Sequence, residues 1–278
     1  MKLKPSDLLD VATPKVITRL LSNPIAKELW IVSTWDAPFS RRPAERLGYR
    51  DDMLRIAKNP SLAGSKDIDP IAIAHVLVEY IDRVLSFWKS DSSDITAKEM
   101  LASLPLFVEM SKYLPHVNPA DKYKTAFRGT EMSLNKLKQF MNSTSLDQDW
   151  VLTSIKGTPH YAYVGPKKNQ FTYKPHRNVQ SWSVSNKAAA DFGSTIVATP
   201  IDTSFFFDPD FTKQYGYGHE QETIHFGKEP MKVILMVNAN TFDEIKPERN
   251  SRKSKFEESS VSESLEISDE EGTLSIPI

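Results

Sequence analysis

The hydrophobic period of the chain changes once. Over residues 6–114 apolar side chains recur every three or four positions, as in Leu8, Leu9, Val11, Val16, Ile17, Leu20 and Leu21, and Pro14 and Pro24 punctuate the pattern. That spacing predicts helices. Asp69-Pro70 reads as an N-cap followed by proline at the first helical position, and it introduces the best-defined helix, 71–88. Ile73, Val76, Leu77, Tyr80, Ile81, Val84 and Leu85 form one broad apolar face of it. A polar break at 89–94 leads to a helix over 96–104, and Pro105 and Pro115 bound one more helical piece. Residues 30–46 combine aromatics, Pro38, Pro43 and arginines, and read either as a loop over a cleft or as a packed connection.

Near Pro119 the pattern turns to short β-like runs with turn signals between them. Strands are predicted at 123–127, 179–185, 194–201, 223–226 and 231–237, and helices at 132–141 and 186–192. Residues 153–173 read as a hairpin or long loop, and 205–219 as a loop. From Lys246 the chain is rich in Ser, Glu and Lys, first basic (249–255) and then acidic (257–271), with a short strand expected at 273–276. The expected organisation is α+β: a helical N-terminal region (1–118), a β-rich core (119–245) and a charged tail (246–278). No internal repeat is evident.

Composition narrows the classes. A chain of 278 residues with 40% hydrophobic and 10% aromatic residues can build one large domain or two smaller ones. Lys+Arg 35 against Asp+Glu 36 gives a net charge of -1, so bulk electrostatics favours neither nucleic acid nor an anionic membrane, and neither is expected as a partner. The absence of cysteine excludes disulfides, thiolate ligands and a cysteine nucleophile, and fits a reducing, cytoplasmic compartment. No apolar segment follows Lys2 and Lys4, so no signal peptide is expected, and no apolar run reaches the length of a membrane span. The six histidines are scattered without metal-ligand spacing, and no metal is expected.

Three separated stretches carry chemistry. In Tyr215-Gly216-Tyr217-Gly218-His219-Glu220-Gln221-Glu222 the two glutamates, at i and i+2 of a strand start, would project into one cleft. Adjacent carboxylates are costly unless a cation comes between them. Phe127-Arg128-Gly129 closes a strand, and Ser181-Trp182-Ser183-Val184-Ser185 lies in another, followed by Ala188, Ala189 and Phe192. An arginine at a strand edge can bind a diphosphate bidentately, and the glycine beside it lets a ligand approach the backbone.

In this order the three stretches resemble the arginine, Ser-x-Ser and E-x-E signatures of the R-S-E mono-ADP-ribosyltransferases, which include arginine-modifying bacterial toxins and Alt/Mod-type enzymes of tailed phages. The resemblance covers residues 123–237. It implies a split β-core of two packed, mainly antiparallel sheets with NAD as substrate in the cleft. It also implies transfer of ADP-ribose to a protein side chain, arginine first, with release of nicotinamide. By resemblance Arg128 binds NAD, Gly129 presents main-chain groups to the nicotinamide amide, and Phe192 stacks on the ring. Ser183 orients the catalytic carboxylate and Ser185 matches the last serine, with Ser181 as the alternative register and Val184 in place of the usual threonine. Glu222 stabilises the positive charge that develops on the ribose. Glu220 holds and activates the acceptor, because a carboxylate pairs with a guanidinium as an amide cannot. Tyr215 and Tyr217 would touch the target, and the likeness to phage enzymes points to host RNA polymerase or translation machinery. NAD glycohydrolysis and a non-catalytic binding role are the alternatives. A second stretch, Glu263-Ser264-Leu265-Glu266-Ile267, also resembles the E-x-E strand, but Glu266 lies farther from Ser183 than the family's spacing and Ser264 stands two residues before it, so Glu222 is preferred.

Overall fold

The computed structural model describes residues 2–39, 42–90, 94–215 and 220–247. Tyr217, the tail from 248 with its expected strand at 273–276, and the rival stretch around Glu266 fall outside them. The helical region comprises α1 (Pro14–Leu21), α2 (Pro24–Asp36), α3 (Pro43–Lys58), α4 (Pro70–Ser90) and α5 (Asp94–Met110). Four of these begin with proline, whose fixed φ suits the first turn and whose missing N–H would have no helical partner there. Asn23 caps α2 through Ile25 N (2.9 Å), and Asp69 caps α4 through Ile71 N (2.9 Å).

Two expectations for this region are corrected. Residues 30–36 continue α2, where Trp30 is fully buried with its indole N–H on Met53 O at 3.0 Å, and 43–46 open α3. Of the aromatics that suggested a loop, Trp30 is a core side chain, Phe39 packs partly buried against that core, and Trp35 is 54% exposed. Pro105 does not end a helix either, because α5 runs through it. Leu106, Phe107 and Met110 beyond it are fully buried, and their packing outweighs the backbone hydrogen bond that proline deletes.

The β-rich part contains β1 (Thr125–Thr130), β2 (Trp150–Ile155), β3 (Thr158–Tyr163), β4 (Phe171–Tyr173), β5 (Val179–Ser183), β6 (Thr195–Pro200), β7 (Phe205–Phe206), β8 (Glu222–Phe226) and β9 (Met231–Asn238). Interspersed are α6 (Leu134–Met141), α7 (Leu146–Asp149), α8 (Asn186–Ala189), α9 (Pro209–Thr212) and α10 (Ala239–Ile245). Residues 153–173 therefore hold a hairpin, closed at Lys156 (φ 53°) and Gly157 (φ 74°), a two-residue turn whose left-handed backbone matches strand twist. Residues 205–215, expected as loop, contain β7, α9 and a 3-10 turn.

The protein is α+β, and its described residues form a nine-stranded sheet, ordered β2-β3-β9-β6-β1-β5-β8-β7 with β4 also on β9, in which every pairing is antiparallel. The resemblance implied a split core of two packed sheets; among the described residues the strands join in one sheet that is nearly divided. β1 pairs with β6 along six residues, whereas β1 and β5 share one pair, Phe127↔Ser183. Beyond that pair the halves diverge, and the divergence opens the cleft described below.

The sequence boundary near residue 119 is not a packing boundary. Val179, Phe206, Phe207, Phe211, Ile224 and Phe226 belong to the same hydrophobic core as α1 to α5. The helices are thus the cover of the β5-β8-β7 half. A second core, including Ala126, Trp150, Trp182, Val197 and Leu235, backs the opposite face under α6 and α10.

Candidate active site

At the division of the sheet lies a cleft of about 190 Å³ lined by Phe127, Arg128, Gly129, Ser181, Trp182, Ser183, Ala189, Phe192, Glu220 and Glu222. An engineered apolar cavity of about 150 Å³ holds benzene, so this space suits one substituted aromatic ring, with the rest of any larger ligand lying outside it. Six of the seven sequence-predicted site residues converge here, drawn from β1, β5, the turn after α8 and the start of β8.

Arg128 leaves β1 and spans the gap to β5, where Nη1 donates to Ser181 O. Its buried Nε has no partner among the described residues. A guanidinium so placed satisfies a carbonyl that the diverging strand leaves unpaired and keeps donor capacity toward the cleft. Gly129 is dictated by space: a Cβ built there would stand 1.9 Å from Ala189 O and 3.0 Å from Phe192 Cβ. That contact presses the α8 turn onto β1 and sets Phe192, 54% exposed, over the cleft rim.

The serine assignment is corrected. Ser181, not Ser183, donates its hydroxyl to Glu222 Oε1. Ser183 faces Glu222 in the β5–β8 register, but its Oγ donates to Glu220 O at 2.7 Å and accepts from Ser185 N at 3.0 Å. It ties the end of β5 to the start of β8 and lines the cleft without orienting the carboxylate. Ser185 does not line the cleft; it caps α8, accepting from Ala188 N at 3.3 Å. β5 ends at Ser183, two residues sooner than predicted, which makes Ser185 a helix cap.

The two glutamates share the cleft, but not by strand alternation. Glu222 begins β8 and is 4% exposed, and Glu220 precedes the strand across Gln221, whose φ of 47° is left-handed. Gln221 O accepts from Val184 N at 2.9 Å, so β5 holds this unusual backbone in place and turns Glu220 back toward the cleft. Thr212 Oγ1 donates to Glu222 O at 3.0 Å and fixes the strand start from the α9 side.

A residue to which the sequence analysis gave no role reaches this site. Trp88, on α4, donates its indole N–H to Glu222 Oε1 at 3.2 Å. Nothing in the helical spacing distinguishes it, since a tryptophan on an apolar stripe is usually core. Tyr215 also docks on α4, its hydroxyl donating to Asp82 Oδ1 at 2.7 Å, instead of projecting outward.

Below the cleft His225 is 4% exposed and pairs with Gln180 across β5–β8, and Gln180 Nε2 meets His176 Nδ1 at 3.1 Å. Burial holds His225 below the ordinary imidazole value, opposed by Asp202 and reinforced by Arg128. His176 is lowered too, by partial burial and then by Arg128, Arg177 and Lys228. The arginine end of the cleft is therefore electropositive and the Glu220–Glu222 end acidic. Elsewhere, His116, Asp208 and Asp210 bring ligand-type atoms within 4.8 Å of one another, but Lys122 (2.6 Å) and Lys213 (2.7 Å) already hold Asp210.

No protein-family model, curated protein or solved structure matches the chain. Among the described residues no helix is long and apolar enough to cross a membrane.

Proposed function

We propose that the chain is an R-S-E mono-ADP-ribosyltransferase that moves ADP-ribose from NAD to a protein side chain, arginine first, and that its nearly divided sheet is the split core of that class. One observation carries the reading. Arg128, Ser181 and Glu222, from three strands and separated by 53 and 41 positions in sequence, are joined through hydrogen bonds around a single cleft.

In this reading the nicotinamide ring occupies the cleft against Phe192, with its amide on the main chain of Gly129. Arg128 pairs with the diphosphate that continues toward the electropositive end. Cleavage of the C1′–nitrogen bond sends the electron pair to nicotinamide, which leaves neutral, and positive charge develops on the ribose. Glu222, buried and accepting from Ser181 and Trp88, stabilises that charge in a site of low dielectric. The acceptor guanidinium pairs with Glu220, its nitrogen attacks C1′, and Glu220 takes the displaced proton. A host cytoplasmic protein of the transcription or translation machinery is the proposed class of target.

The test is incubation of purified protein with labelled NAD and a host extract, followed by mass spectrometry of the modified residue. Label on arginine that falls on the order of 10³-fold in Glu222→Gln supports the reading. Equal labelling by both proteins, or none by either, sinks it. Free ADP-ribose without protein label identifies a glycohydrolase using the same site.

A further inference from the structure

We propose that Trp88 is a positioning residue for Glu222, which makes the helical region part of the catalytic apparatus as well as a cover for the sheet. This rests on the reading of Glu222 as the transition-state carboxylate.

The indole N–H and the Ser181 hydroxyl both donate to Oε1 of Glu222. The two donors come from opposite sides of the chain's organisation, α4 in the helical region and β5 in the sheet. Trp88 and Glu222 lie 134 positions apart in sequence. A carboxylate that is 4% exposed loses nearly all of its hydration, and charge-assisted hydrogen bonds are what keep its ionised form favourable there. The buried stripe of α4 already packs through Ile73, Val76, Leu77, Tyr80, Ile81, Val84 and Leu85. Packing alone would be served at 88 by phenylalanine; what tryptophan adds is one donor aimed at one oxygen.

The same helix grips the segment before β8 through Asp82, which accepts from Tyr215. Asp82 and Trp88 are roughly 9 Å apart along α4. α4 thus holds both sides of the stretch that delivers Glu220 and Glu222. With Oε1 committed to Ser181 and Trp88, the carboxylate rotamer is set before substrate arrives, which is preorganisation of the charge that meets the ribose.

The experiment has a structural and a kinetic arm, both on the full chain. Spectra of ¹⁵N-indole-labelled protein contain one indole signal for each of the 5 tryptophans, and Trp88→Phe identifies that of Trp88. Glu222→Gln is expected to shift that signal and leave the other four in place. In the kinetic arm, Trp88→Phe is expected to lower kcat for NAD cleavage about tenfold to a hundredfold with KM for NAD within about twofold. The acid limb of its pH profile moves to higher pH, because losing a donor to the carboxylate favours the protonated form.

An unmoved Trp88 signal overturns the contact. Unchanged kcat and pH profile, or a loss confined to KM, overturns the positioning role. If Trp88→Phe does not fold, Trp88→Tyr supplies both the assignment and the rates, since its hydroxyl lies beyond the indole nitrogen's position. A shifted signal in a chain that cleaves no NAD overturns the transferase reading and with it this role. An unmoved signal in a chain that does cleave NAD overturns this proposal alone.

Discussion

Two backbone positions govern the geometry of the cleft. At Gly129 any side chain meets the Ala189 carbonyl, so Gly129→Ala must push the α8 turn and Phe192 away from β1. Overpacking of this kind costs about 1–3 kcal/mol. A lowered thermal midpoint together with weakened NAD binding is expected, and a midpoint equal to wild type would show that the turn yields freely. Gln221 makes the complementary case, since its left-handed φ of 47° suits glycine better than glutamine and a β-branched residue least. Gln221→Gly should hold or raise stability by up to about 1 kcal/mol. Gln221→Ile should lower stability and turnover together, because Glu220 loses its direction. Denaturant midpoints and NAD turnover measured on both variants check this pair.

At the scale of elements, β5 and β8 carry the site on one face and a buried histidine on the other. Ser181→Ala removes a donor to Glu222 and should cut turnover at least as far as Trp88→Phe, whereas Ser183→Ala should act first on stability, through the lost tie to Glu220 O and Ser185 N. Equal effects of the two on kcat, at matched stability, would contradict that division. On the far face, the depressed His225 imidazole means that the unfolded chain binds protons more readily than the folded one. Stability therefore rises with pH through this range: it is lost as pH falls below the ordinary 6.5 and is fully present above it. The Nδ1 of His225 has no partner among the described residues and its ring packs on Phe205 at 4.8 Å, so phenylalanine can replace it. Thermal midpoints at about pH 5 and about pH 7.5 should differ less in His225→Phe than in wild type. His75 and His176, also lowered, leave a smaller dependence behind.

The whole molecule behaves as one unit because its larger core runs from Leu3 in the helical region to Phe226 in β8. A fragment of residues 119–247 would expose Val179, Phe206, Ile224 and Phe226 and lose Trp88 from the site. It should therefore lack cooperative unfolding, and a sharp thermal transition in that fragment would refute a shared core. The division by period at residue 119 was legible, because 3.6-residue and two-residue patterns cannot serve the same element. That the helices pack directly on β5-β8-β7 was not legible, because an apolar stripe says that something is covered without saying by what.

Local chemistry is what the residue order settled unaided. The Asp69-Pro70 start of α4, its buried face, the strands around Arg128 and Glu222, and the short helix before Phe192 all follow from caps, periodicity and turn residues, which act within a few positions of the chain. Only tertiary structure decided which serine meets Glu222, that Ser185 caps a helix, that Pro105 lies inside one, and that Trp88 reaches the carboxylate. Each of these depends on strand register or on contacts between segments as far as 134 positions apart, where packing and hydrogen bonding across the fold outweigh any preference written locally.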